Sequence, residues 1–134
     1  DLIILALGKN DLKRKYDRSP QDIASGLREC IDICISEGRN HVSSTPIILI
    51  VSTAISKEIE RMRFGRMEVD FLGAKEKSIK LADLYSDIAN EYMLEFIDIS
   101  KDIIVSQRDG VHLEEEGHKK LGELLYKKIM EINF

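Results

Sequence analysis

The sequence predicts an α/β fold, a parallel sheet with helices on both faces, and three observations carry the prediction. Strand-length runs at residues 2–7, 47–51 and 96–99 are separated by long stretches with helical periodicity. The first two runs are continuously apolar, as strands covered on both faces are; a strand with one wet face would alternate. Strand and helix then alternate three times, and such units close through right-handed crossovers into a parallel sheet.

The first run, residues 2–7, is followed by a polar loop from Gly8-Lys9-Asn10-Asp11 to Arg18. Ser19 stands at an N-cap, Pro20 at the first helical position and Asp22 at the spacing of a capping box. Behind them Ile23, Leu27, Cys30, Ile31 and Cys34 form one stripe, and Gly38 predicts the helix stop. Pro46 introduces the second strand. Residues 52–72 lack a clean period and read as a long loop of the kind that forms lids or binding surfaces. It carries Arg61, Arg63, Phe64, Arg66 and Met67. A helix is predicted over 73–92, with Ile79, Ala82, Leu84, Tyr85, Ile88 and Ala89 inward. After the third strand, residues 100–111 form a loop that leads to a helix over about 114–132. Leu121, Leu124, Leu125 and Ile129 make its inner stripe, and Lys119, Lys120, Lys127 and Lys128 its solvated face.

At roughly 150 residues per domain, 134 residues make one domain or most of one. A hydrophobic content of 43% excludes a disordered tail. Twenty Lys+Arg against 24 Asp+Glu give a net charge of −4, with no basic cluster to hold nucleic acid. The apolar runs are too short to span a bilayer. Cys30 and Cys34, four residues apart on the inward stripe, read as core hydrophobes. These features predict a soluble, mildly acidic, cytoplasmic domain with neither nucleic acid nor membrane as partner. The chain opens inside its first strand, which leads us to expect a β-α-β portion N-terminal to residue 1.

Ligands of open α/β sheets sit at the carboxyl ends of the strands, which singles out residues 8–11, 52–55 and 100–112. In Gly8-Lys9-Asn10-Asp11 the glycine allows a tight turn and Asn10 offers an amide donor for a developing oxyanion; an Asn there can equally bond its own turn. In Asp109-Gly110-Val111-His112 the carboxylate can reach back to the imidazole Nδ1–H. That would leave Nε2 free as a base, as a serine nucleophile requires; the alternative is a solvated Asp and a His near an N-cap.

Together these blocks resemble the SGNH (GDSL-like) hydrolases, arylesterase/acyltransferase branch, whose third block is Gly-x-Asn-Asp and whose last is Asp-x-x-His. Residues 19–27, 48–52 and 77–82 extend the resemblance over nearly the whole chain. It implies a flavodoxin-like three-layer α/β/α domain, present here as its C-terminal three-strand part. It also implies a serine ester hydrolase acting on small carboxylic esters, or transferring their acyl group. His112 would be the general base, Asp109 its orienter and Asn10 an oxyanion donor, with Gly8 and Asp11 supporting the loop. No metal or organic cofactor is implied, and the branch's tendency to oligomerise suggests a homo-oligomer or association with the N-terminal segment. The Gly-Asp-Ser block that carries the nucleophile is absent from the 134 residues. It is expected upstream, since neither Ser52 nor Ser100 has the glycine neighbours of a nucleophile elbow. The alternative is a non-catalytic α/β module that binds a ligand or protein.

His112 and His118 are six apart, whereas a helical zinc pair needs i, i+4 spacing, so no metal site is predicted there. His118 reads as a surface or cap residue, and His41 as a loop residue.

Overall fold

Side-chain alternation along three strands sorts the core into two layers. The computed structural model describes residues 1–41, 45–61 and 71–132. Its elements are β1 (Leu2–Leu5), α1 (Pro20–His41), β2 (Ile47–Val51), α2 (Ala74–Tyr92), β3 (Glu95–Ile97) and α3 (Glu115–Glu131). All pairings are parallel, in the order β1-β2-β3, with Ile3 opposite Ile48, Leu5 opposite Ile50 and Ile50 opposite Phe96. Those residues share one face and pack with Ile23, Leu27 and Ile31 of α1 and Leu81, Tyr85 and Ile88 of α2. The alternate residues Leu2, Leu49, Val51 and Ile97 point the other way, onto Leu121, Leu124, Leu125 and Ile129 of α3. The result is the expected three-layer α/β/α arrangement, with α1 and α2 on one face and α3 on the other.

The capping box at the start of α1 forms as the sequence dictates. Asp22 N–H donates to Ser19 Oγ (3.1 Å), while Asp22 Oδ2 accepts from Ser19 N–H (2.9 Å) and Oγ–H (2.6 Å). These bonds satisfy amide donors that the first helical turn leaves unpaired.

Four expectations are corrected. The first strand pairs only over Leu2–Leu5, and Leu7 is exposed as the chain leaves the sheet. Gly38 does not stop α1, which runs on to His41. Its missing side chain makes room for the Pro46 ring, whose Cδ would lie 2.5 Å from a Cβ built there. Ile79 of α2 is 59% exposed, and fully buried Leu81 takes the inward place. Lys128 is more than a solvated lysine: its ammonium meets Glu95 Oε2 of β3 at 2.7 Å and ties α3 to the sheet edge. Cys30 and Cys34 are half-buried at the margin of the core. Arg63, Phe64, Arg66 and Met67, and the side chains of His41 and Arg61, lie outside the described residues. No helix among the described residues is long and apolar enough to cross a membrane.

Candidate active site

The site begins where β1 ends. Gly8 has φ +96°, a left-handed value that L side chains rarely adopt. A Cβ there would run into the Tyr85 hydroxyl, which donates to the Leu7 carbonyl from α2 (3.3 Å). Beyond Gly8 the chain makes two 3₁₀ turns, Asn10–Leu12 and Arg14–Tyr16, and Asp11 N–H donates to Gly8 O (3.1 Å) at the first. Leu12, completely buried, pegs that turn to the core. Asn10 therefore stands on a short turn fixed at both ends. Its Oδ1 accepts from Lys13 Nζ (2.8 Å), which leaves the amide N–H₂ end for another acceptor. Asp11 supports the loop through its backbone; its carboxylate faces Arg18 Nε at 3.9 Å and is not turned onto loop N–H groups.

The second block lies between β3 and α3. Asp109 Oδ2 is 2.7 Å from His112 Nδ1, while Oδ1 accepts the N–H groups of Val111 (2.8 Å) and His112 (2.9 Å). One carboxylate thus orients both the ring and the backbone that carries it. The left-handed turn at Gly110 (φ +69°) lets the chain fold back over Asp109. Burial pushes the Asp109 carboxyl up, but the hydrogen bonds from His112 and Val111 outweigh it and hold the group below the usual carboxylate range. It is an anion at neutral pH. The His112 side chain is 76% exposed against 18% for Asp109, so the ring's far edge faces outward. With Nδ1 turned to the carboxylate, Nε2 lies on the exposed edge of the ring.

Three successive carbonyls of this block are each held from a different place. Ser56 N–H, after β2, donates to Gly110 O (2.8 Å) and Ser106 N–H to His112 O (2.8 Å). Lys9 Nζ reaches across from the end of β1 to Val111 O (2.9 Å). Lys9 is thus the side chain that joins the Asn10 loop to the Asp109–His112 block. Sequence reasoning passed over it, as it did Ser56 and Ser106. The available signal was a lysine at the open position of Gly-x-Asn-Asp, directly after a buried strand.

Ser52, weighed above as a substitute nucleophile, is buried and committed. Its hydroxyl donates to Asp98 Oδ1 (2.6 Å) and accepts from Ile99 N–H (2.9 Å), pinning the ends of β2 and β3 together. Ser100 is exposed and its N–H donates to Asp98 Oδ1 (2.9 Å). His118 is exposed on the first turn of α3.

A parallel sheet with an Asn turn after one strand and an oriented Asp–His pair after another defines an α/β scaffold with its polar groups gathered at the carboxyl ends of the strands. The chain belongs to the GDSL-like lipase/acylhydrolase family, whose profile matches residues 1–125. It is similar to the native aryl esterase of M. smegmatis, at 28% identity over 99% of this chain, with a TM-score of 0.84. It is also similar to a carbohydrate acetylesterase from Sinorhizobium meliloti, at 29% identity over 98% of this chain, with a TM-score of 0.84. A GDSL-like lipase from Bacteroides thetaiotaomicron, at 15% identity over 97% of this chain and 62% of its own length, shares the fold (TM-score 0.69). The chain spans 61% of the length of the M. smegmatis enzyme and 60% of the S. meliloti one. No curated protein matches the chain.

Proposed function

We propose that the chain carries the acid–base and side-chain oxyanion half of a serine ester hydrolase, with the nucleophile supplied by a Gly-Asp-Ser segment N-terminal to residue 1. The observation that carries this reading is the 2.7 Å pairing of Asp109 Oδ2 with His112 Nδ1, in a block joined by Lys9 to the Asn10 turn. The neighbouring aryl esterase and carbohydrate acetylesterase support small carboxylic esters as the substrate class.

In the reaction, the serine Oγ attacks the ester carbonyl carbon as His112 Nε2 accepts its proton. Asp109 keeps the imidazole in the Nδ1–H tautomer and stabilises the imidazolium. The tetrahedral oxyanion accepts a hydrogen bond from the Asn10 amide, alongside backbone N–H groups outside this chain. His112 then returns the proton to the leaving alkoxide as the C–O bond breaks. Water, or an acceptor alcohol, repeats the sequence on the acyl-enzyme.

The test is p-nitrophenyl acetate turnover by the full-length protein and its His112→Ala variant. A loss of several orders of magnitude in kcat is expected; retention of activity would overturn the reading. A fluorophosphonate probe should label the full-length protein at the upstream serine and leave the 134-residue chain unlabelled. Stoichiometric labelling within these 134 residues would equally refute it.

A further inference from the structure

Lys9 is unusual among the lysines of this chain because it works inward. Its ammonium is half-buried, and burial pushes it down from the usual lysine range while the Asp109 carboxylate pushes it back up. Lys9 shares a cavity with Thr53 and Ala54 just beyond β2, with Leu113 ahead of α3 and with Leu121 of α3, none of them charged. On its own turn, Asp11 faces Arg18 and Lys13 bonds Asn10. In the Asp109–His112 block, Arg108 turns to Glu114 (3.8 Å). The Asp109 carboxylate, which holds the His112 ring, is the charge that acts on Lys9 from that block.

We propose that Lys9 is a positioning residue of this site: its ammonium fixes residues 109–112 at the Val111 carbonyl and competes with the protonated imidazole for Asp109. The inference rests on the reading of His112 as the base. The geometry gives it two separable effects. The hydrogen bond to Val111 O fixes where His112 stands relative to the Asn10 turn, and a displaced base lowers kcat. The charge is a second cation acting on Asp109, so its removal is read in the pH profile and not in where the loop stands. A lysine serving only to pack the loop would produce neither a change in pH profile nor a distinction between charged and neutral replacements.

The experiment compares kcat, KM and the pH profile of kcat/KM for the full-length protein and its Lys9→Met, Lys9→Gln and Lys9→Arg variants, with His112→Ala as control. Lys9→Met should lower kcat about 10- to 100-fold with KM within about twofold. It should also move the acid limb of kcat/KM upward by roughly half a pH unit or more. Lys9→Gln, which keeps a donor without the charge, should show the same shift of the limb. Lys9→Arg, which keeps both, should restore the wild-type limb. If Lys9→Met does not fold, the contrast between Gln and Arg decides the matter alone. An inactive His112→Ala beside Lys9 variants with wild-type kcat and an unmoved acid limb would overturn the role of Lys9 while leaving the hydrolase reading intact. An active His112→Ala would overturn the base on which both depend.

Discussion

Replacing Gly8 by alanine should destabilise the fold by about 2–6 kcal/mol, and the figure has two sources. The residue sits at φ +96°, where an L side chain adds strain of about 1–3 kcal/mol. The new Cβ would also meet the Tyr85 hydroxyl, with Ile23 Cγ2 and Leu81 Cδ2 each at 3.2 Å. Ile23 and Leu81 are buried core residues that cannot retreat freely, and overpacking of this kind costs about 1–3 kcal/mol. Against a typical total stability of about 5–15 kcal/mol, the sum is large. Urea unfolding of wild type and variant measures it. A double-mutant cycle separates the two sources. Tyr85→Phe removes the hydroxyl that the Cβ meets and, alone, forfeits one hydrogen bond to Leu7 O, about 0.5–1.5 kcal/mol. Combined with Gly8→Ala it should cost less than the two changes added. A Gly8→Ala variant within 0.5 kcal/mol of wild type would refute the account, as would strict additivity with Tyr85→Phe for the steric part.

Asn10→Ala in the full-length protein should lower kcat by roughly 10²–10³, the effect of removing one oxyanion donor; a kinetically silent change would assign the oxyanion elsewhere. Asp98 and Asp109 both lie below the usual carboxylate range in the fold, Asp98 because bonds from Ser52 and Ser100 outweigh its burial and Asp109 through the bonds described above. Their folded-state values are depressed, so their contribution is present above the ordinary carboxylate range and is lost as pH falls through the folded values. The urea midpoint should therefore be lower at pH 3 than at pH 7, and Asp98→Asn should lose less on acidification. Among the described residues β1 pairs on one side only and leaves Ile4 and Leu7 exposed, so sedimentation equilibrium should show the 134-residue chain self-associating through that edge. Ile4→Lys should weaken the association, and a concentration-independent monomer would contradict it.

What could be read from sequence was what local chemistry determines. Ser19, Pro20 and Asp22 carry their capping geometry within four residues, and the three-residue spacing of Asp109 and His112 already limits how the two side chains can meet. The periodicity of α2 was harder: Ile79 and Leu81 are both apolar, and only the position of α1 decides which of them is buried. Gly38 carries a helix-stop signal, overruled by a packing partner, Pro46, just ahead of β2. Lys9 was illegible for the same reason in stronger form. Its partner carbonyl belongs to Val111 and carries no side-chain signature at all.

That contact has a consequence for the order of events in folding. Lys9 and Val111 are 102 positions apart, and closing a loop of that length in an unstructured chain costs about 4 kcal/mol from the logarithmic term alone. One hydrogen bond returns about 0.5–1.5 kcal/mol, so it cannot draw the two ends together. Other contacts of the fold must bring the two ends within reach for it to form. The placing of residues 109–112 against the Asn10 turn is therefore a product of the assembled fold and not a contact that builds it.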